Sequence, residues 1–374
     1  MQEEWKIYFS ELIKGNQKGF ISSFIKALLF FPSLGFRCLS ALRNWAYDRG
    51  FFSCFVPQVP LVISIGNIVA GGTGKTPFTI SLAKCLSNQG KIAILSRGYK
   101  SLSEHRSKPT LILPGNRANY SVEECGDEPY LLAKHLPDAI LVIGKNRSLS
   151  AKIAKKHGAD ILILDDGMQH RQLARDLDIV MIHSSDPFGQ GYFLPRGFLR
   201  DNISSLKRAD LIVINHVSSA SHFENIQNVL RPYASAPMIG TQMQPQHFLD
   251  AEGNRISSIE GKKVGLFCGI AHPEKFKEMM ETLGATVVAQ HFLSDHMKWQ
   301  NDAFKTFKQT CSHAGAEYIV CTEKDFVKLG KQDDTSSLIW LKAELMVTHG
   351  QEHWENFLAR AHKLLQRQSN TETH

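Results

Sequence analysis

The residues best suited to chemistry are concentrated in Ser64-Ile-Gly-Asn-Ile-Val-Ala-Gly-Gly-Thr-Gly-Lys-Thr-Pro77. Glycines let backbone N–H groups converge on phosphate oxygens, and a helix starting after them adds its positive end. A lysine followed by a threonine then offers a charge to β/γ-phosphates and a hydroxyl to Mg²⁺. On this reading Val69, Ala70, Gly71, Gly72, Thr73, Gly74, Lys75 and Thr76 hold a nucleotide. The strict G-x-x-x-x-G-K-[ST] pattern is not met: Val69 stands at the first glycine position, and Gly71 and Gly72 supply the small residues instead. The competing reading, a chance Gly-Lys-Thr in a turn, is disfavoured by the apolar run before it and the helical pattern after it.

A second signal is Ile161-Leu-Ile-Leu-Asp165-Asp166-Gly-Met-Gln-His170, an apolar strand that delivers two carboxylates to its C-terminal end. Ligands bind at that end of open α/β sheets, and one carboxylate there can hold Mg²⁺ directly or through water. An Asp-Asp-Gly turn with local hydrogen bonds is the bland alternative. Gly126-Asp127-Glu128-Pro129 opens a helix, so on the residues alone Asp127 reads first as an N-cap. Ser294-Asp295-His296 lies between a strand and a helix, where a lone histidine is more often a surface or capping group. Asp186–Gly191 and Leu194–Asp201 form a long loop carrying convergent charge, and loops of that length commonly cover a site or move.

These groups need a scaffold. From residue 60, short β-branched runs alternate with helical stretches: strands at Leu61–Ile65, Ile92–Leu95, Ala139–Ile143, Ile161–Leu164, Asp178–Ile182 and Leu211–Ile214, with helices after residue 75, after Glu128 and across Arg147–Lys156. That rhythm predicts an α/β fold with a doubly wound parallel sheet. A turn-rich segment, Tyr233–Pro245, leads to a second and smaller alternation: Lys263–Phe267, a helix over Glu274–Leu283, Thr286–Gln290, a helix near Phe304–Cys311, and Tyr318–Cys321. The last residues, Arg367–His374, read as polar and frayed. The expected division is 1–56, 57–240 and 241–374.

Residues 1–56 differ in character from the rest. Trp5, Tyr8, Phe9, Leu12 and Ile13 recur at helical spacing, and Phe20, Ile21, Phe24, Ile25, Leu28 and Leu29 then form an apolar face opposite Lys14, Lys18, Ser22 and Lys26. Pro32 is expected to end or kink that helix. A further amphipathic stretch sets Leu39, Leu42 and Trp45 against Arg37, Arg43 and Arg49. Such a segment is either an interfacial anchor, rings in the acyl boundary and cations on lipid phosphates, or a helix packed on the protein's own core.

The chain has 374 residues, 43% hydrophobic and 21% charged, which excludes wholesale disorder and a polytopic membrane protein. No secretory signal and no uncharged 18-residue apolar run is evident, so no segment is expected to span a bilayer by itself. Lys+Arg of 43 against Asp+Glu of 36 gives a charge of +7 and favours anionic partners. That excess is spread along the chain with no recognition motif, so nucleic acid is not an expected partner, and no obligate protein partner is evident. The seven cysteines are scattered without a metal-binding spacing, which fits free thiols in a reducing cytoplasm.

Taken together and in order, Gly66-Asn67 with Gly-Gly-Thr-Gly-Lys-Thr-Pro, Ser96-Arg-Gly-Tyr99, Gly-Asp-Glu-Pro, Asp-Asp-Gly-Met-Gln-His, Leu-Pro-x-Gly-x-Leu-Arg, Gly269-Ile270 with Pro273 and Phe276, Asp295-His296 and Thr322-Glu-Lys-Asp325 resemble the tetraacyldisaccharide 4′-kinases, the lipid A 4′-kinases of Gram-negative bacteria. The resemblance runs from about residue 15 to 330. It implies ATP- and Mg²⁺-dependent phosphorylation of the 4′-hydroxyl of a tetraacylated glucosamine disaccharide 1-phosphate, the lipid A precursor, at the anionic cytoplasmic face of the inner membrane. It further implies Asp127 as the base, supported by His296 from the second domain. Thr76, Asp165 and Asp201 become metal ligands, Asp201 standing where the family has Glu. Asn67, Arg97, Asp166 and His170 fall near the phosphates or the acceptor sugar. A membrane-associated deviant-P-loop regulatory ATPase would share the loop, the Asp pair and the amphipathic N-terminus without needing Asp127 or His296. A soluble kinase of a small hydroxylated metabolite is the other alternative.

Overall fold

The computed structural model describes residues 11–371 apart from positions 14, 16, 18, 100, 117–119, 271–272, 294–300 and 330–335. The expected roles of Trp5, Tyr8, Phe9, Lys14, Lys18, Asp295 and His296 therefore lie outside the described residues. Two compact units are present: residues up to Gln242 together with those from Leu345 onward, and Met243–Glu344.

The first unit begins with α1 (Phe20–Asp48), 29 residues long. There follow β1 (Leu61–Gly66), α2 (Lys75–Leu86), β2 (Ile92–Ser96), β3 (Thr110–Ile112), α3 (Asp127–His135), β4 (Ile140–Ile143), α4 (Arg147–Lys156), β5 (Ile161–Asp165), β6 (Leu177–His183), β7 (Leu211–Asn215), α5 (Ala220–Leu230) and β8 (Met238–Asp250). The sheet order is β3-β4-β2-β5-β1-β6-β7-β8, parallel except for the edge strand β3. β1 and β5 are buried along their whole lengths, as the near-continuous apolar runs of a two-sided parallel sheet require. β1 pairs with β5 on one side, Ile65 opposite Asp165, and with β6 on the other. The ends of β1 and β5, where the chemical signals lie, are thus adjacent. The C-terminal helix Gln351–Thr371 belongs to this unit, its Trp354 ring packing 5.7 Å from Phe78 of α2. The sequence reading had grouped it with the second domain; its apolar face (Trp354, Phe357, Ala361, Leu365) is buried.

In the second unit β10 (Lys263–Cys268) pairs in parallel with β11 (Thr286–Phe292) and β12 (Tyr318–Thr322), and β12 with β13 (Leu338–His349). The two-residue β9 (Arg255–Ile256) pairs antiparallel with Phe248 and Leu249. Helices α6 (Pro273–Thr282), α7 (Asn301–His313) and α8 (Glu323–Leu329) alternate with these strands.

Two sequence expectations fail for identifiable reasons. Tyr233–Pro245, taken as turn-rich, contains the start of β8: Met238–Thr241 pairs with β7, and Pro245 falls on an exposed stretch where a missing N–H costs little. Pro32, expected to end or kink the helix, does not end it: α1 continues from Phe20 to Asp48. The helix is held on both sides of it, by Arg196 on the Lys26 carbonyl (3.0 Å) and Phe30 against Tyr192 before, and by Phe36 against Phe193 and Ser40 on Asp201 after.

α1 is built inside out. The residues it buries are Ser22, Ser33, Ser40 and Ala46. Ser22, Ser33 and Ser40 are spaced by 11 and 7 residues, close to whole helical turns, and so share one face. The opposite face leaves Phe20 87%, Phe24 63% and Leu28 61% exposed, which excludes the core-helix reading of those side chains. At 1.5 Å per residue α1 is about 43 Å long, and by length and composition alone it is apolar enough to cross a membrane, although Lys26 and Arg37 interrupt its apolar run as the sequence expectation has it.

Candidate active site

The loop after β1 opens on Asn67, which is fully buried and serves as a hub. Its amide donates to Thr73 Oγ1 (2.9 Å), its side-chain oxygen accepts from Arg200, and its backbone carbonyl accepts from Gln169 Nε2 (2.7 Å). Asn67 thus shapes the loop. Val69 bridges Leu199, and the Ala70 N–H donates to the Phe198 carbonyl (2.7 Å), so these two tie the loop down and Ala70 spends its donor within the fold. The phosphate cradle is left to Gly71–Thr76.

Gly74 caps α2 at φ +87°, where an added Cβ would collide with the Asn215 amide. That amide holds the Thr73 carbonyl at 3.2 Å from the end of β7. No side chain caps α2 and no acidic residue sits in its first turn, so its N-terminus presents its positive end and its N–H groups to a ligand.

Lys75 reaches from this turn to Asp166 Oδ1, 3.4 Å away. Asp166 sits just past β5 in the left-handed region at φ 54°, a conformation that aspartate tolerates better than most residues. Arg200 grips the same carboxylate with both terminal nitrogens, at 2.7 and 3.0 Å. Burial alone would raise the Asp166 pKa, but Lys75 and the Arg200 fork outweigh it and hold the group well below the ordinary carboxylate range.

Asp165 is in the reverse position. It is almost fully buried, its Oδ2 accepts only a hydroxyl, Ser96 Oγ at 3.1 Å, and Arg147 donates to its backbone carbonyl (3.0 Å) rather than to its carboxylate. Burial, then the charges of Glu128 and Asp166, push its pKa up to about 7 against Lys75 and Arg147. A carboxylate in this state is short of positive charge, which is what a cation arriving with nucleotide phosphates supplies. Among the described residues no three His, Cys, Asp or Glu side chains converge on a metal position. Mg²⁺ does not need three: one or two carboxylates plus phosphates and waters suffice, and Asp165 with the Thr76 hydroxyl fits that set.

Asp201, the third inferred metal ligand, is placed otherwise. Its carboxylate has no exposure and accepts from Asn44 Nδ2 (2.6 Å), Ser40 Oγ (3.3 Å), Ser205 Oγ (3.0 Å), the Asn202 N–H (2.8 Å) and Arg208 (3.3 Å). Its oxygens accept from α1 and neighbouring loop donors.

Asp127 is the first residue of α3 rather than its cap. The cap is Gly126, and Asp127 Oδ1 accepts the adjacent Glu128 N–H at 3.0 Å. Glu128 raises both the Asp165 and the Arg200 pKa, so this helix start lies within electrostatic reach of the loop. Arg97 pairs with Glu104 (2.9 Å) and is half exposed. His170 is driven down to about 4 by burial and then by Arg147, Arg175 and Arg97, and is neutral at pH 7. Its Nε2 is buried without a hydrogen-bond partner, as is Arg147 Nη1.

Sequence reasoning missed four residues. Arg147, fully buried at the first turn of α4, was hidden in a surface-like Lys-Asn-Arg; Glu128 was overshadowed by Asp127. Arg175 braces the turn after β5 through the carbonyls of Gly167, Met168 and His170. Arg200 was quoted within a motif but not given a role.

Comparison with known proteins adds the family. The model of the tetraacyldisaccharide-1-P 4′-kinase family matches residues 25–363. The chain is 34% identical over 349 residues to the tetraacyldisaccharide 4′-kinase of Halothermothrix orenii, spanning 89% of this chain and 90% of that protein. It is 36% identical over 321 residues to that of Anaeromyxobacter sp. strain K, 84% of each. Among solved structures it is similar to LpxK from Aquifex aeolicus in complex with ATP, at 28% identity and a TM-score of 0.69, covering 92% of this chain and 99% of that one. With nearly its whole length matched and the loop, the Asp pair and the Arg200 fork assembled at one sheet edge, the chain belongs to the tetraacyldisaccharide-1-P 4′-kinase family.

Proposed function

We propose that this protein transfers the γ-phosphoryl group of ATP to the 4′-hydroxyl of a tetraacylated glucosamine disaccharide 1-phosphate at the cytoplasmic face of the bacterial inner membrane. The observation that carries the reading is the convergence, in a chain of this family, of an uncapped helix start after β1 with Lys75 and with the Asp165 carboxylate at the end of β5.

Phosphoryl transfer needs positioning and charge neutralisation more than covalent chemistry. The N–H groups of Gly71–Thr76 orient the phosphates. Lys75 and Arg200, preset by Asp166, meet the negative charge of the transferring group, and Asp166 keeps both cations from swinging into solvent. Thr76 and Asp165 would hold Mg²⁺, which would supply charge neutralisation to the phosphate oxygens. The 4′-oxygen forms the new bond to phosphorus, the bond to ADP breaks, and Asp127 accepts the hydroxyl proton. His170, neutral beside guanidiniums, can accept a hydrogen bond from the acceptor sugar, and Arg97 and the unpartnered Arg147 nitrogen favour its anionic groups.

The acceptor carries four acyl chains and stays in the bilayer, so the site must be brought to it. The exposed apolar face of α1 serves that purpose, and the buried strip of serines favours α1 lying along the surface rather than crossing it. Lys26, Arg37 and Arg49 on or beside α1 can meet anionic headgroups.

The test is ADP release with and without a lipid A disaccharide 1-phosphate in mixed micelles. The kinase reading expects slow release alone and strong stimulation by acceptor. Release at full rate without acceptor would favour the regulatory ATPase.

A further inference from the structure

Residues 192–201 lie between α1 and the nucleotide loop and touch both. On the α1 side, Tyr192 meets Phe30 and Phe193 meets Phe36, with ring centroids 6.4 and 6.2 Å apart. Arg196 stacks 4.0 Å over Tyr192 while donating to the Lys26 carbonyl. On the other side, Leu199 bridges Val69, the Phe198 carbonyl accepts from Ala70, and the Arg200 N–H donates to Ile68 at 2.8 Å. The segment ends on two adjacent residues with opposite commitments. Arg200 grips Asp166 and Asn67 in the site, whereas Asp201 is locked to Ser40 and Asn44 of α1.

We propose that Asp201 is a positioning residue that couples α1 to the nucleotide site: by anchoring the loop to the Ser40–Asn44 stretch of α1 it sets the register of Arg200 against Asp166, so that seating α1 on lipid tightens ATP binding. The two carboxylate contacts are made by consecutive residues joined by a single peptide bond, so a shift of α1 along its axis has no slack in which to dissipate before it reaches the Arg200 fork. Five donors converge on Asp201, more than a helix anchor alone requires, and two of them come from α1 through side chains that are otherwise ordinary helix residues. The exposed side of the same helix is the surface read above as lipid-facing. The inference rests on the kinase reading only for its turnover readout.

The experiment compares wild type with the doubly substituted Ser40→Ala, Asn44→Ala protein, which removes both α1 hydrogen bonds to Asp201, leaving only the 3.7 Å ion pair of Arg43, without touching the site or the lipid-facing side chains. Affinity for a fluorescent ATP analogue is measured with and without vesicles containing anionic phospholipid, alongside vesicle co-sedimentation, melting temperature and KM and kcat for ATP. Coupling between two sites is typically 5–150-fold, so vesicles should tighten nucleotide binding to wild type by about 5-fold or more. In the double variant that tightening should be lost and KM for ATP raised, with co-sedimentation and melting temperature close to wild type. Vesicle-dependent tightening that survives in the double variant, or is absent from wild type, overturns the proposal. Loss of co-sedimentation together with the tightening also overturns it, because the contacts would then only retain the helix. Coupling that persists in a protein unable to phosphorylate the disaccharide would leave Asp201 in this role and sink the kinase reading instead.

Discussion

Asp165 and Asp166 are consecutive carboxylates held in opposite protonation regimes, and their roles follow from that split. Asp166 is saturated by Lys75 and Arg200 and stays ionised; Asp165, pushed up to about 7, is half protonated at neutral pH until a cation arrives. Folded Asp165 therefore binds a proton that the unfolded chain, titrating near 3.8, has lost. Its contribution makes the ligand-free protein less stable as pH rises from about 4 to 7. Asp165→Asn should flatten the dependence of melting temperature on pH in that window, and it should abolish the rise in Mg²⁺-dependent ATP affinity expected of wild type as pH passes about 7. A pH slope unchanged in the variant would mean that another group carries it. For Asp127, replacement by Asn should lower kcat by roughly 10²–10⁴-fold with ATP affinity little changed. Because Gly126 is the cap of α3, capping cannot account for such a loss, and a kcat near wild type would remove Asp127 from proton transfer. The carboxylates of this site were legible because a run of apolar residues ending in Asp-Asp announces a strand end. The partners of Asn67 and Asp201 were not: Asp201 meets Ser40 and Asn44 across gaps of 161 and 157 residues, and nothing in local spacing records which of several carboxylates a fold will turn inward.

Among the elements, α1 is the least ordinary, since its small polar residues face the protein while Phe20, Phe24 and Phe31 face outward. The amphipathic pattern was evident from sequence, but which face is buried was not, because an apolar stripe looks the same against lipid and against a core. Continuity through Pro32 was hidden for a related reason: the cost of a proline inside a helix, about 3 kcal/mol, is offset by tertiary contacts on both sides that sequence does not display. Replacing Phe20, Phe24 and Leu28 with Ser should release the protein from anionic vesicles and raise KM for the lipid acceptor, with ATP affinity measured without vesicles and melting temperature unchanged. Because each exposed Lys near an anionic surface is worth about 1 kcal/mol and is screened within a Debye length, salt should weaken attachment of the wild type in part. Aggregation or loss of ATP binding in the triple-Ser protein would return those side chains to the core.

At the scale of the whole molecule, the parallel strands were readable because two-sided burial leaves unbroken runs such as Leu61–Ile65 and Ile161–Leu164. Less readable were β8, disguised by Pro237 and Pro245, and the return of Gln351–Thr371 to the first unit, where Trp354 packs on Phe78. Chain order suggests a domain boundary near residue 240, and only packing reveals that the chain comes back. Both strand ends of the first unit, the uncapped α2 and the exposed face of α1 serve one account: a P-loop carried to a lipid acceptor. Lys75→Ala bears on it, since it should remove most transfer without unfolding the protein: its one ion pair, with Asp166, leaves that carboxylate still held by the Arg200 fork. The most direct test is the position of the phosphate itself. Incubation of the protein with ATP, Mg²⁺ and a tetraacyl disaccharide 1-phosphate, followed by ³¹P NMR of the recovered lipid, should show a second phosphomonoester on the 4′-oxygen, absent with Lys75→Ala. A lipid recovered with only its original 1-phosphate while ATP is consumed would contradict the account.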